Sequence, residues 1–188
     1  MNKKMVSDEA PLRADAARNR ARILEAAEAV FVERGADASL EEVARRANVG
    51  IGTLYRRFPT REDLLAAMSD ERLLAIADAS RQRDELGPMA SIRMFVTELV
   101  AHTTHYRGLA ATLGAVLRSE TPGCHASTAE GCRLLLWAKE TGVMRPDVTI
   151  GDLVCVIMAI SLAVEQDASV KARTAHRVDL FLEGFGAR

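Results

Sequence analysis

Apolar residues recur at helical spacing along almost the whole chain, and this feature constrains the fold more than any other. In the clearest case they fall three, four, seven and eight positions after the first residue of the set, at Ile23, Ala26, Ala27, Val30 and Phe31. This spacing places all five on one face of an α-helix. No segment alternates apolar and polar residues as a half-buried strand does, and aromatic residues make up only 4% of the chain, which disfavours β-rich folds. The sequence therefore predicts an all-α protein.

Two short helices follow this first helix and are joined by a turn that contains glycine. Gly35 is placed to end the first helix. Ser39 stands three residues before Glu42, the spacing of a capping box that opens a second helix. The segment NVGIG over residues 48–52 breaks the pattern, and a third short helix is predicted over 53–58. Two short helices joined in this way form a helix-turn-helix, whose second helix can enter the major groove of DNA.

The third helix carries the residue types that DNA recognition needs. If Leu54 and Phe58 face the core, the residues between them project outward. Arginine can bind guanine with both arms of its fork, threonine can touch a thymine methyl or a phosphate, and tyrosine can donate to a phosphate. The predicted DNA-contacting residues are Ser39, Gly50, Gly52, Thr53, Tyr55, Arg56, Arg57 and Arg61. A helical hairpin with a solvated basic face is the alternative explanation of the same pattern.

The pattern divides the chain of 188 residues into three parts. Residues 1–16 are polar and are predicted to form a flexible tail. Residues 17–62 are predicted to form a three-helix domain with the helix-turn-helix, and residues 63–188 a larger helical bundle. The first 61 residues hold 12 Lys and Arg against 9 Asp and Glu, whereas the remainder holds 13 against 17. A mildly basic N-terminal third on an acidic body fits a nucleic-acid-binding module.

The bundle is predicted to contain further helices whose ends follow from glycine, proline and capping residues. Ser127 and Glu130 have capping-box spacing, so a loop is predicted over 119–126 and a helix after it. The longest apolar run, residues 153–164, is 12 residues long, too short to span a bilayer. The predicted helices of the bundle cover residues 61–80, 88–106, 109–117, 127–139, 150–165 and 172–185.

Four segments of the N-terminal part form one continuous pattern over about residues 18–70. They read AAxxVFxxxG at 26–35, SLxxVAxxAxV at 39–49, GTLYxxF at 52–58 and RExLL at 61–65. This pattern closely resembles the N-terminal domain of TetR-type transcriptional repressors. The resemblance implies a homodimer whose two modules bind successive major grooves of double-stranded, pseudopalindromic operator DNA.

The resemblance also assigns roles to residues of this chain. It implies base readout by Arg56 and Arg57 and phosphate contacts by Ser39, Tyr55 and Arg61. A small-molecule effector of unknown identity would bind the bundle and release the repressor from DNA. The family also includes transcriptional activators and members whose ligand promotes DNA binding. Whether the effector releases this protein from DNA or promotes binding therefore stays open. Two roles are open for Arg18, Arg20 and Arg22. They either make further phosphate contacts or form a solvated face.

Two sets of residues in the bundle are expected from the resemblance. A ligand pocket is expected to be lined by Phe95, Leu99, His102, Leu113, Leu117, Trp137 and Met158. A four-helix dimer interface is expected to contain Leu153, Val156, Ile157, Ile160, Val164, Val178, Phe181 and Phe185. The alternative for both sets is that they fill the core of the monomer.

Other classes of protein are less well supported by the sequence. It contains no HExxH, glycine-rich phosphate loop, GxSxG or ExxH pair, so neither an enzyme nor a cofactor is expected. His102 and His105 are three residues apart, and Cys124, His125 and Cys132 lie further on, but none has the spacing of a known zinc motif. No metal is therefore expected. The alternatives that stay open are an all-α enzyme and a helical adaptor that binds another protein.

The cysteines and the N-terminus predict where the protein resides. Three cysteines form an odd set without a CxxC, which favours free thiols in a reducing compartment. Residues 1–12 contain no apolar run of the kind found in a secretory signal. The expected location is the cytoplasm, with no membrane partner.

Overall fold

The computed structural model describes residues 9–83, 85–166 and 173–186. Within these ranges the chain is helical, with one isolated β-bridge between Met144 and Gly186 and no strand, which confirms the all-α prediction. None of the helices in these ranges has both the length and the apolarity to cross a membrane. The described helices are α1 (Glu9–Arg34), α2 (Leu40–Arg46), α3 (Ile51–Arg57), α4 (Arg61–Arg81), α5 (Pro88–Thr103), α6 (Leu109–Val116), α7 (Pro122–Glu140), α8 (Ile150–Gln166) and α9 (Thr174–Phe185).

The first helix is longer than the sequence predicted. The helix α1 covers Glu9–Arg34, so residues 9–16 of the predicted tail are helical, and residues 1–8 lie outside the described ranges. Pro11 falls in the first turn of α1, where backbone N–H groups have no partner within the helix and proline is tolerated. The segment ADAARNRA over residues 14–21 then supplies good helix formers.

The ends of α1 and α4 follow the sequence closely. Gly35 has a φ of +91°, a left-handed conformation that glycine adopts at little cost, and it ends α1. At the start of α4 a capping box is present. The Thr60 hydroxyl oxygen accepts from the amide of Asp63, and the Asp63 carboxylate accepts from the amide of Thr60, each at 3.1 Å.

The N-cap of α2 is the predicted residue, but it bonds to a different residue from the one that the capping-box spacing indicated. Ser39 is the N-cap as predicted, but its hydroxyl oxygen accepts from the amide of Glu41 at 3.1 Å and its hydroxyl donates to the Glu41 carboxylate. Glu42, the expected partner, accepts hydrogen bonds from Arg45 and Arg46 instead. Two arginines one turn further along α2 can both reach Glu42, so charge pairing determines the position of this side chain.

The start of α7 contradicts the sequence-based prediction. The helix begins at Pro122, within the predicted loop, because Thr121 caps it by accepting from the amide of Cys124 at 3.3 Å and proline suits the first helical position. Ser127 and Glu130 are not a capping box. Both lie inside α7 and both are buried.

These two residues instead connect α7 to α4. The Ser127 hydroxyl donates to the carbonyl oxygen of Leu73 at 3.2 Å, and the Ser80 hydroxyl donates to Glu130 Oε1 at 2.6 Å. The buried apolar residues form one connected cluster that extends from α1 to α9. The helix α4 contacts both α1 and α7. It is therefore one element through which the N-terminal helices and the bundle are joined.

Candidate DNA interface and effector region

The orientation of α3 is determined by two buried residues. Leu54 is 0% and Phe58 4% exposed, as the sequence predicted, so they hold one face of α3 against the hydrophobic core. The turn from α2 to α3 includes Asn48 at a φ of +52°, a conformation that asparagine tolerates better than most residues. The opposite face of α3 carries Tyr55, which is 44% exposed.

The two arginines expected to read bases lie on this exposed face. The Arg56 guanidinium donates to the Thr53 hydroxyl at 3.1 Å, and that of Arg57 donates to the carbonyl oxygen of Ala16 in α1 at 3.1 Å. Both bonds are exposed to solvent and use one of several donors of each guanidinium. Each arginine therefore keeps donors for another partner.

The glycines of this region face open space. In the described part of the chain, no atom outside the helix's own backbone and the adjoining residues lies within 4 Å of the position that a Cβ would take at Gly50 or at Gly52. The fold itself therefore does not exclude a side chain at either position. Open space at the first turn of α3 is what a close approach to a DNA backbone requires.

Arg61 is placed differently from the other expected contacts. It is half-buried, and its Nη1 donates to the carbonyl oxygens of Ala36 and Ala38 at 2.6 Å each. Arg61 thus connects the start of α4 to the loop between α1 and α2. Its contact with a phosphate stays a prediction, and the structure shows a bracing role that its position in the sequence did not indicate.

The arginines of α1 have partners within the protein. Arg18 pairs with Asp15, and Arg22 donates to the side chain of Asn19. The guanidinium of Arg20 lies over the ring of Phe58, 6.0 Å from its centroid, within the range of a cation–π contact. These neighbours occupy part of the basic surface that was considered for phosphate contacts.

A charged network on α2 was not predicted. Glu42 pairs with Arg45 at 2.8 Å and Arg46 at 3.1 Å, and Arg46 also reaches Glu33 of α1 at 2.5 Å. Hydrogen bonds from Arg45 and Arg46 lower the pKa of Glu42 to about 2. The network orders the outer surface of α2 relative to α1. An i, i+3 and i, i+4 search of the charged residues could have found its local part.

The residues expected to line an effector pocket are divided among three environments. Phe95, Leu99 and Leu117 line a small apolar cavity of about 20 Å³ between α5, α7 and α8, a volume that suits a single water molecule. His102 lines a separate cleft beside α1 and α4. The remaining three line neither of these cavities, Leu113 being buried and Trp137 and Met158 half-buried.

Most of the residues expected in a dimer interface lie in the core of this chain. Five of the eight are at most 4% exposed: Leu153, Val156, Ile157, Ile160 and Val178. For these five the structure shows the alternative explanation, because the most apolar face of each helix packs against α5 and its neighbours. Val164 and Phe185 are half-buried, and Phe181 is 42% exposed. Leu162 and Leu180, which were not predicted, are also exposed at 37% and 56%.

The histidines and cysteines considered for metal binding are dispersed. Among the residues that the structure describes, no group of three or more His, Cys, Asp or Glu side chains is arranged to hold a metal ion. Cys124 is buried and its thiol donates to the carbonyl oxygen of Val116 at 3.1 Å, whereas Cys132 and Cys155 are exposed. Burial raises the pKa of the Cys124 thiol, which makes it a poor nucleophile.

An all-α chain with an exposed arginine-bearing helix, a braced helix-turn-helix and a separate bundle belongs to the class of helix-turn-helix regulators. A family model described as bacterial regulatory proteins of the tetR family matches residues 23–68, and one described as a SbtR-like transcriptional regulator C-terminal domain matches residues 87–187. The chain belongs to the TetR family of bacterial transcriptional regulators.

Individual relatives agree with this assignment. A crystal structure of a TetR transcriptional regulator from Streptomyces coelicolor is 32% identical, with a TM-score of 0.55, over 89% of this chain and 98% of that one. The structure of RolR in complex with resorcinol has a TM-score of 0.68 over 94% of this chain and 91% of that one, and at 23% identity it shows the fold alone.

A comparison with curated proteins gives a shorter match. The probable HTH-type transcriptional regulator ArpR of Pseudomonas putida is 35% identical over 89 residues, which are 45% of this chain and 42% of ArpR. The chain therefore matches less than half the length of this curated relative.

Proposed function

We propose that this protein is a DNA-binding transcriptional regulator that inserts α3 into the major groove of a double-stranded operator. The observation that carries the proposal is the exposed face of α3, where Tyr55, Arg56 and Arg57 project from a helix fixed by Leu54 and Phe58. Membership of the TetR family supports the same function.

The expected contacts divide between bases and phosphates. Arg56 and Arg57 exchange their present bonds to Thr53 and to the Ala16 carbonyl for base edges, because a guanidinium fork matches the two acceptors of guanine. Tyr55 and Ser39 donate to phosphates from exposed positions. Gly50 and Gly52 let the backbone approach.

The proposed regulator acts as a homodimer in which two α3 helices bind half-sites of a pseudopalindrome. Most of the apolar residues on one face of α8 and α9 are buried in the core of the monomer. The surface that contacts the second subunit is therefore the outer face of these two helices. On α8 that face is a stripe of exposed residues, and α9 adds Leu180 and Phe181. The α8 stripe consists of Gly151, Asp152, Cys155, Ala159, Leu162 and Gln166.

The proposed effector is a small molecule that occupies the apolar region around Phe95, Leu99 and Leu117. A cavity of about 20 Å³ holds no organic molecule, so binding requires α5, α7 and α8 to separate. A conformation with a separated bundle would alter the spacing of the two α3 helices and lower the affinity for DNA. Shifting an equilibrium from about 1:99 to 99:1 takes about 5.5 kcal/mol of differential effector affinity. Release of a repressor is the response proposed here.

The test of DNA binding compares two arginine variants. Duplexes selected from genomic fragments by the wild-type protein are titrated with wild type, Arg56→Ala and Arg118→Ala, an exposed arginine in the loop after α6 that serves as the matched control. Arg56→Ala is expected to lose about 1–3 kcal/mol of discrimination between selected and random duplexes. Arg118→Ala is expected to keep it. Equal discrimination by all three proteins would refute base readout by α3.

The test of the dimer uses charge substitutions on exposed leucine and phenylalanine residues. Phe181→Glu places a carboxylate in the proposed interface and is expected to give monomers in sedimentation at micromolar concentration, because an unpaired charge is costly to bury. Leu136→Glu on α7, where Leu136 is 58% exposed, is the control and should stay dimeric. Dimers in both variants would exclude Phe181 from the interface.

A further inference from the structure

A cleft of about 610 Å³ opens where the N-terminal helices meet the bundle. It is bounded by α1, by the middle of α4, and by the end of α5 together with the residues that follow it. It lies apart from the small apolar cavity between α5, α7 and α8, with which it shares no lining residue. Its walls include Glu28, Met68, Glu71, Arg72, His102, His105 and Tyr106.

The cleft continues along the α1–α4 junction with an excess of negative charge. An adjoining cavity of about 290 Å³ shares Glu28, Met68 and Glu71 with the cleft. Its further walls include two more acidic residues, Glu25 and Asp70, and one basic residue, Arg20. In the two cavities together, four carboxylates face two guanidinium groups, those of Arg20 and Arg72.

One wall of the cleft is aromatic. The ring of Tyr106 meets the rings of His102 and His105 edge to face, at centroid distances of 6.0 Å and 4.7 Å. Burial, followed by the charges of Arg72 and His105, lowers the pKa of His102 to about 4, so its imidazole is neutral at pH 7. His102 is only 8% exposed, and within the described chain its buried Nε2 has no hydrogen-bonding partner.

The carboxylate nearest to this wall is held in place. The Tyr106 hydroxyl donates to Glu28 of α1, with oxygen–oxygen distances of 2.7 Å and 2.8 Å to its two carboxylate oxygens. Each of these oxygens has a second lone pair, so Glu28 can accept another hydrogen bond from a ligand. Glu71 on α4 is exposed at the same cleft and offers a second carboxylate.

From these features we infer that the cleft binds a small aromatic or aliphatic amine in its protonated form. The ammonium group is bound by the carboxylates of Glu28 and Glu71, and the apolar body lies against Met68 and the ring of Tyr106. The ammonium group gains charge-assisted hydrogen bonds from the carboxylates, and the apolar body gains from removal from water. An anion of the same size would have to approach Glu28 and Glu71, and among the described residues that line the cleft Arg72 is the one guanidinium that offsets them.

Binding at this cleft would act on the contact between the two parts of the chain. Glu28 belongs to α1 of the helix-turn-helix part, whereas Tyr106 follows α5 of the bundle. An ammonium group that pairs with Glu28 weakens its bond to Tyr106 and alters how α1 is held. This effect on DNA affinity rests on the proposed function, whereas occupation of the cleft does not.

Calorimetry of the full chain without DNA tests the site directly. The probes are 2-phenylethylammonium, 2-phenylethanol and phenylacetate, which share a ring and a chain length and differ in charge. The cation is expected to bind about tenfold more tightly than the alcohol, and the anion more weakly still. Equal binding of all three, tighter binding of phenylacetate, or no binding of the cation would overturn the inference.

Three variants locate the binding. Glu71→Gln is expected to weaken binding of 2-phenylethylammonium about fivefold and Arg72→Gln to strengthen it, because each changes one charge at the cleft. Glu140→Gln, which removes an exposed carboxylate near the end of α7, is the control and should leave the affinity unchanged. If Glu71→Gln behaved like Glu140→Gln, the amine would not bind in the cleft.

A second arm separates this inference from the proposed function. The affinity for a selected duplex is measured with and without 2-phenylethylammonium, in wild type and in Glu71→Gln. The amine is expected to lower the DNA affinity of the wild type more than that of the variant. If the chain binds no DNA at all, the proposed function fails, while the calorimetric result still decides whether the cleft is an amine site.

Discussion

At Gly52, a single residue, the requirements of protein stability and those of the proposed DNA binding differ. It is the second residue of α3, and in the described chain a Cβ at this position would have no neighbouring atom within 4 Å beyond the helix's own backbone and the adjoining residues. A glycine in a helix costs stability relative to alanine. Nothing in the packing of the described residues requires glycine at this exposed helix start, so the proposed close approach of DNA is the explanation to be tested.

We expect Gly52→Ala to be at least as stable as the wild type while binding DNA more weakly. The free energy of unfolding should rise by up to about 0.5 kcal/mol, and the affinity for a selected duplex should fall about tenfold because the methyl group displaces the backbone. Urea denaturation and fluorescence anisotropy measure the two effects. Gly184→Ala on α9 also faces open space and should change neither DNA affinity nor fold. A Gly52→Ala variant with full DNA affinity would contradict the close approach.

The stability of the folded protein is expected to depend on pH because of His102. Burial, Arg72 and His105 lower its folded-state pKa to about 4, below the value of about 6.5 for an exposed histidine. Between these pH values the unfolded chain binds a proton that the folded chain does not bind. The stability is therefore unaffected by His102 above about pH 6.5 and falls as the pH drops from 6.5 toward 4.

The expected loss from this one group between pH 7 and pH 4 is up to about 3 kcal/mol. Urea denaturation at a series of pH values should show a smaller loss for His102→Gln than for the wild type over this interval. His176→Gln, at an exposed position of α9, serves as the control and should follow the wild type. Parallel pH profiles for wild type and His102→Gln would show that His102 titrates normally.

At the scale of elements, the pairing of α4 with α7 depends on a glycine. The Gly123 amide donates to Asp70 Oδ1 at 2.6 Å, and a Cβ at Gly123 would lie 2.3 Å from the carbonyl oxygen of Asp70. A side chain there must push the backbones of the two helices apart. Ser127 and Glu130 connect the same two helices further along α7.

Gly123→Ala is accordingly expected to destabilise the protein by about 1–3 kcal/mol, the usual cost of overpacking. Thermal and urea denaturation measure the change. Gly114→Ala on α6 is the matched control, because a Cβ there would lie at ordinary contact distances of 3.6 Å and 3.9 Å from the side chains of Arg118 and Met158. It should be neutral or slightly stabilising. Equal stability of the two variants would mean that α4 and α7 are free to separate at Gly123.

The same elements show what the sequence can and cannot predict. Local signals were sufficient for α3 and α4, because Leu54, Phe58 and the Thr60–Asp63 capping box act within a few residues. They failed for α7, because the spacing of Ser127 and Glu130 that resembles a cap is used for contacts with α4, about 50 residues away in the sequence. Such tertiary use of a local pattern is not visible without the fold.

Across the whole molecule, the sequence predicted which face of α3 is exposed better than it predicted the surfaces of the bundle. The exposed face of α3 follows from one helix, whereas a pocket or a partner surface depends on how several helices divide their apolar residues. Leu153 and Val178 show this, since both are apolar enough for an interface and both are buried within the monomer. The cleft between α1, α4 and α5 combines residues about 80 positions apart, such as Glu28 and Tyr106.

The proposed regulation depends on two α3 helices binding one operator. Wild-type protein bound to a selected genomic fragment is examined by hydroxyl-radical footprinting, which measures protection of each backbone position. A dimer with one α3 in each of two successive major grooves is expected to protect a pseudopalindrome whose half-sites have centres about one helical turn, or 34–36 Å, apart. Protection of a single half-site, or a footprint unchanged in position when the sequence of one half-site is scrambled, would contradict it.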